Sequence, residues 1–208
     1  MDSRTSKQNY YLDIADSVLE RSTCLRRKYG AIIVRNDEII STGYNGAPRG
    51  RRNCSDLGVC TRETLNIPSG ERYELCRSVH AAANAIISAS RRDMIGATIY
   101  LVGRDARTNE LLSDAMSCSM CKRQIINAGI DKIVIRISPT EYRTIPVSDW
   151  IENDDSIFML SPVPLPPKIN LHFFRFEVFD YAPDSLGSGR LCRRRAQGCR
   201  RRHCPSEK

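Results

Sequence analysis

Three side chains carry the strongest chemical signal: His80, Cys118 and Cys121. His80 opens an Ala-rich helical stretch (VHAAANAIISAS, 79–90), and Cys118-Ser119-Met120-Cys121 opens a second helix that closes at Gly129. A CxxC pair alone fits a dithiol redox centre as well as a metal site. Two helix N-termini directed at one place favour thiolates through their dipoles. One imidazole and two thiolates then fill three corners of a tetrahedral zinc site and leave the fourth open. An open position is what a water-activating catalytic zinc requires. The competing reading of His80 is a hydrogen-bonded core histidine.

Four further cysteines precede the CxxC: Cys24, Cys54, Cys60 and Cys76. Cys24 ends the first helical segment, Cys54 and Cys60 fall in a Gly/Pro/Asn/Arg-rich loop over 45–72, and Cys76 lies one helical turn before His80. Four thiolates closing a loop that has no core of its own read as a structural Cys₄ zinc site. Four buried free cysteines are the alternative. The chain has nine cysteines in all, an odd number, and its first residues show no apolar stretch of the signal-peptide kind. Metal ligation or reactive thiols therefore outrank a disulfide framework.

The elements that must hold these residues follow from periodicity. Residues 8–23 pattern as an amphipathic helix. AIIV (31–34) and EIIS (38–41) suit a hairpin across Arg35-Asn36-Asp37. TIYLV (98–102), the helix over 118–128 and KIVIRI (132–137) come as strand, helix, strand, a right-handed βαβ unit with parallel strands. TIPV (144–147) adds a last strand, which Pro146 confines to an edge. The domain is expected to end near Asp155. It is followed by a Pro-rich, then aromatic extension over 156–184 and a basic tail over 185–208.

RSTC (21–24), YGAIIV (29–34), STGYNGAPRG (41–50), VHAAANAI (79–86), CSMC (118–121) and INAGIDKIVI (126–135) together resemble the zinc-dependent cytidine and deoxycytidylate deaminases. The TGYNGxPxG segment after the second strand points to the deoxycytidylate branch. The resemblance implies an α/β fold in three layers, α/β/α, with a mixed central sheet of about five strands. It also implies one zinc on His80, Cys118 and Cys121, and a cytosine nucleotide, dCMP, as substrate. Phage and bacterial members of the branch carry a second zinc at positions matching Cys24, Cys54, Cys60 and Cys76. The resemblance places Asn45 against the nucleotide sugar, a turn-forming asparagine being the alternative; it places the Ser117 carbonyl toward the substrate amino group and Ala81 among the substrate-binding positions. A phosphate needs a fixed cation, for which Arg26 and Arg49 flank the matching segments. A homo-oligomer and a cytoplasmic setting are expected on the same ground.

Two positions depart from that pattern. The family's general acid/base is a Glu two residues after the metal His, where this chain has Ala82. Loss of a positioned proton carrier costs ~10²–10⁴-fold, so the chain as written should be close to inactive. A deliberate Glu-to-Ala exchange and a natural non-catalytic form both account for it. Ser117 stands where the family has Pro, after an insert over 103–116.

The net charge of +8 suggests nucleic acid until it is divided by region. Residues 185–208 hold eight Arg and Lys against the single acid Glu207, so +7 resides there and +1 in the rest. A deaminase of bases in RNA or single-stranded DNA needs a basic, aromatic-lined channel, and a nearly neutral body argues against one. Nucleic acid is left to the tail, where Cys192, Cys199, His203 and Cys204 fit no zinc spacing. A non-catalytic nucleotide binder, with Ala82 native, is the remaining rival. No run reaches the ~18 apolar residues of a membrane span.

Overall fold

The computed structural model describes residues 4–68 and 70–153. The expected extension and basic tail, including the tail cysteines and His203, lie outside the described residues.

Helix α1 (Lys7–Leu19) is capped by Ser6, whose hydroxyl accepts from the Asn9 amide. Strand β1 (Arg27–Arg35) follows, buried continuously from Gly30 to Val34. Such a run has no polar alternation because strands flank it on both sides and helices cover both faces. Asn36 and Asp37, at φ 50° and 70°, turn it into β2 (Glu38–Tyr44) with Arg35 opposite Glu38, the positive-φ pair of a tight hairpin. Short helices α2 (Cys54–Leu57) and α3 (Thr61–Thr64) interrupt the long loop, and a 3₁₀ turn spans Tyr73–Leu75. Then come α4 (Ala81–Ile87), α5 (Arg91–Met94), β3 (Thr98–Asp105), α6 (Ser119–Ala128), β4 (Lys132–Arg136), β5 (Tyr142–Pro146) and α7 (Ser148–Glu152).

The sheet order is β2-β1-β3-β4-β5. β3 and β4 are parallel, the other three pairings antiparallel, and β5 with its Pro146 forms an edge. Period-two alternation sorts the central strands between two cores. On one face Ile32, Val34, Tyr100, Val102 and Val134 meet Tyr11, Leu12, Ala15 and Leu19 of α1. On the other, Ala31, Ile33, Ile99, Leu101, Ile133 and Ile135 meet the small residues of α4 together with Met94, Cys121 and Ile125. The result is three layers, α/β/α, around a mixed five-stranded sheet. Leu12 and Leu19 are fully buried, each worth ~1.5–3 kcal/mol of hydrophobic stabilisation.

Several boundaries differ from expectation, each for a local reason. The helix expected over 8–23 stops at Leu19, because Ser22 turns its hydroxyl to the Asn45 side chain and carbonyl instead of continuing the ladder. The helix expected over 79–90 spans only Ala81–Ile87, with His80 outside it as N-cap. Ser88 bonds back to the Asn84 carbonyl and ends it. The insert over 103–116 begins as a continuation of β3. It is pinned by Arg104, whose guanidinium donates to both Asp16 oxygens at 2.7 Å.

Tyr11 fixes α1 to the hairpin turn: its hydroxyl donates to Asp37 Oδ1 at 2.7 Å. Burial, aided by that bond, pushes its phenol up from 10.0 to about 12. A raised folded-state value stabilises the protein below the unfolded-state value, and that contribution disappears as pH rises through the folded one. Stability should therefore fall between pH 10.0 and about 12. Tyr11→Phe should cost ~1 kcal/mol at neutral pH and flatten that alkaline slope. Thermal melts across the pH range read both effects. An unchanged slope would deny Tyr11 the role.

Candidate metal centre and active site

The two segments expected to carry the chemistry converge because the sheet brings α4 and α6 side by side on one face. β2 holds α4 by two polar contacts. Ser41 donates to the Ala85 carbonyl at 2.8 Å and Asn84 to the Tyr44 carbonyl at 2.7 Å. Immediately before His80, Val79 exchanges backbone bonds with Gly46, at 2.8 and 3.2 Å. His80 is therefore aimed by an anchored backbone as well as by its helix. Cys118 is the N-cap of α6, and Cys121 lies buried in that helix's first turn.

His80 Nδ1 lies 3.3 Å from both Cys118 Sγ and Cys121 Sγ, and all three ligand atoms are within 4.8 Å of one another. Zinc bonds of ~2.0 Å to nitrogen and ~2.3 Å to sulfur span a tetrahedral N···S edge of ~3.5 Å. The donor set and its spacing fit that ion. The protonation of the pair agrees. The hydrogen bond from Cys121, then that from His80, outweigh burial and hold the Cys118 thiol down to about 4. The same Cys118 contact, together with burial, pushes Cys121 up. Two adjacent thiols ionise once; a divalent cation allows both to be thiolates.

The triplet opens into a cavity of about 110 Å³, lined also by Ala81, Ala82, Ser117, Asn45 and Arg26. Ala82 is 3% exposed and presents only a methyl group at the helix start. Ser117 is buried, with its Oγ lacking any partner. Asn45 lines the cavity, but most of its amide is engaged. Its Oδ1 accepts from the Tyr29 amide and the Ser22 hydroxyl, both at 2.7 Å, and its Nδ2 donates to the Arg27 carbonyl at 2.9 Å. It joins the end of α1 to the start of β1. Arg49 is exposed and is not among the lining residues.

Cys24, Cys60 and Cys76 also reach the cavity wall, and Cys54 is buried close by. Burial pushes the Cys54 thiol up, and the neighbouring charges of Cys24 and Cys76 add to the shift. Among the described residues, a ligating group with all atoms within 4.8 Å is formed by the His80 triplet.

Two lining residues escaped the sequence reading. Arg62 is 6% exposed, an unusual place for arginine. Its Nη2 donates to the Pro68 and Glu71 carbonyls, both at 2.6 Å, and its guanidinium lies 4.5 Å from the Tyr73 ring centre. Tyr73 in turn meets the His80 ring edge-on at 5.0 Å. No periodicity marks either residue, because both lie in the irregular loop. A buried arginine held by loop carbonyls has the same local sequence as a solvated one.

A family model described as the cytidine and deoxycytidylate deaminase zinc-binding region matches residues 5–137. The deoxycytidylate deaminase of Mycobacterium phage D29 is 36% identical over 137 residues, covering 64% of this chain and 95% of the phage protein. That of Schizosaccharomyces pombe is 33% identical over 135 residues, covering 65% of this chain, and the match spans 38% of the yeast protein's length. The dCMP deaminase of cyanophage S-TIM5, solved in apo form, is 25% identical over 62% of this chain and 81% of its own, with a TM-score of 0.44. Among the described residues, no helix is long and apolar enough to cross a membrane.

Proposed function

Because the chain belongs to the cytidine and deoxycytidylate deaminase family, we propose that its cavity binds a cytosine nucleotide, dCMP, for hydrolytic deamination to dUMP, and that Ala82 leaves the site nearly inactive. The observation that carries the reading is the His80, Cys118 and Cys121 triplet at two helix N-termini, open to one cavity. Relatives named deoxycytidylate deaminase support the substrate class.

A zinc ion held by the three side chains would supply the Lewis acidity that makes water nucleophilic near neutral pH. The reaction replaces the amino group on the pyrimidine ring with a carbonyl and releases ammonia. A proton must leave the attacking water, reach the ring nitrogen, and later reach the departing amine. Ala82 lines the cavity where the family has a carboxylate, and a methyl group carries no proton. Ala81 and Ser117 line the pocket beside the triplet and would position the base. Arg26, which lines the cavity, supplies a cation for the phosphate; Arg49 is exposed and does not line it. The buried apolar Ala82 also favours a second reading, in which the chain holds nucleotide without turning it over. Cys24, Cys54, Cys60 and Cys76 are read as ligands of a second, structural zinc that ties their loop to the domain.

Metal analysis of the purified chain tests the centre. We expect one zinc that resists dialysis and is lost in Cys121→Ala, which removes a ligand while replacing a buried thiol with a smaller apolar group. A second equivalent that survives Cys121→Ala and disappears with Cys54→Ala would establish the loop site. No zinc in the parent, with Cys118 and Cys121 titrating as free thiols, would favour the redox reading instead.

A further inference from the structure

We propose that Glu63 is a resident counter-ion for an oxyanion subsite built on Arg26 and Arg62, and that the phosphate monoester of the nucleotide displaces it. The inference rests on the nucleotide reading above.

Buried polar side-chain atoms almost always have partners, and exceptions call for a reason. Four of the orphaned atoms among the described residues belong to the lining of this one cavity: Arg26 Nη1, Arg62 Nε, Ser78 Oγ and Ser117 Oγ. A guanidinium can only donate. A ligand that satisfies both arginines must therefore bring lone pairs, and in a buried place it must bring negative charge as well. Arg62 is fixed before any ligand arrives, by two carbonyls on one nitrogen and by the Tyr73 ring below. Its Nε remains unclaimed.

Arg26 has a partner of a different kind. Its Nε lies 3.7 Å from Glu63 Oε1, beyond hydrogen-bond length, and the same oxygen accepts from Arg107 Nη2 at 3.0 Å. The Glu63 side chain is 38% exposed and the Arg107 side chain 72% exposed. Glu63 is thus held more closely by a solvent-facing arginine than by the cavity one. It neutralises Arg26 without occupying Arg26 Nη1. An arriving dianion offers Arg26 a closer, doubly charged acceptor, and Glu63 can stay with Arg107 as it yields. A neutral nucleoside provides no such exchange. The carboxylate therefore lowers affinity for every ligand of the cavity that carries an anion, and leaves neutral ones unaffected.

Calorimetry on the zinc-loaded chain as it stands, with Ala82 in place, measures binding without turnover. The probes are dCMP, deoxycytidine and inorganic phosphate. dCMP should bind at least ~10-fold more tightly than deoxycytidine, and phosphate should compete with dCMP. Glu63→Gln should tighten dCMP by about 5-fold with deoxycytidine unchanged, since it removes a screened pair and a repulsion. Arg62→Lys keeps the charge but loses the fork, and should weaken dCMP by about 10-fold with deoxycytidine unchanged. The gain expected for Glu63→Gln protects the test from a variant that merely misfolds. Unchanged or weaker dCMP binding in Glu63→Gln overturns the counter-ion role. Equal binding of dCMP and deoxycytidine by the parent overturns the subsite while leaving a cytosine pocket in place. Binding of neither overturns the nucleotide reading and the inference with it.

Discussion

Ala82→Glu is expected to raise ammonia release from dCMP by ~10²–10⁴-fold or more over the chain as it stands, with zinc content unchanged. Ala82 is buried in the first turn of α4 and lines the same cavity as His80, Cys118 and Cys121. The added methylene and carboxylate therefore enter the space where the reacting groups must lie. A proton-transfer group serves only within hydrogen-bond reach of the proton it moves, which this position on the helix allows. Ala82→Gln separates proton transfer from simple filling of the cavity. It has nearly the same shape, carries no transferable proton at neutral pH, and should show no gain.

The same substitution should alter stability in a metal-dependent way. A carboxylate placed where Ala82 is 3% exposed loses solvation. In the metal-free protein it also shares the cavity with Cys118, whose thiol is held toward the ionised form by its hydrogen bonds, so like charge adds to the cost of burial. A bound divalent cation reverses the sign of that local field. Zinc should therefore raise the melting temperature of Ala82→Glu by more than it raises that of the parent. If the melting pattern follows but dCMP is not turned over, the carboxylate is placed as argued. The small-nucleotide reading would then be wrong, and a larger substrate would become the better candidate.

The elements that proved easiest to read from the sequence are those whose residues are fixed by local rules. His80 and the Cys118–Cys121 pair each precede a helical pattern, so their placement at helix starts follows from capping preferences. TIYLV and the apolar centre of KIVIRI suit strands covered on both faces, and the helix between them in the sequence is what makes the pair parallel. The loop over 45–76 resisted for the opposite reason. Its order comes from contacts distant in sequence: Arg62 on the Pro68 and Glu71 carbonyls, Tyr73 on His80, Arg107 on Glu63. Asn45 was expected either to face a sugar or to shape a turn; it lines the cavity, and its amide also joins α1 to β1 through partners distant in sequence. Arg26 and Arg49 were indistinguishable as candidates. One lines the cavity and the other faces solvent because only Arg26 lies beside the start of β1.

Gly43 shows how a residue without a side chain can control the metal site, and Gly43→Ala is the second large effect expected. Gly43 lies on β2 opposite Ala31, directly beneath α4. A Cβ there would collide with the Ala81 carbonyl and the Ala85 amide, and would come within 3.0 Å of Ala85 Cα. All three are backbone atoms of one helix turn, so no rotamer change relieves the contact. α4 must shift, and His80 at its N-cap must shift with it, away from a partner helix that stays in place. The overpacking should cost ~1–3 kcal/mol or more, and zinc affinity should fall by ~10–100-fold, the usual effect of disturbing a ligand's support. Gly30→Ala is the matched control. A Cβ on Gly30 would collide with the Ala15 carbonyl and come within 2.7 Å of the Leu19 amide, both in α1 on the opposite face. It should lose comparable stability yet bind zinc normally in the fraction that folds. Zinc competition against a chelator, run alongside thermal melts of both variants, reads the difference. Equal zinc affinity in the two would mean that α4 is free to shift without moving His80, and that the Gly46–Val79 backbone pairing alone aims the ligand.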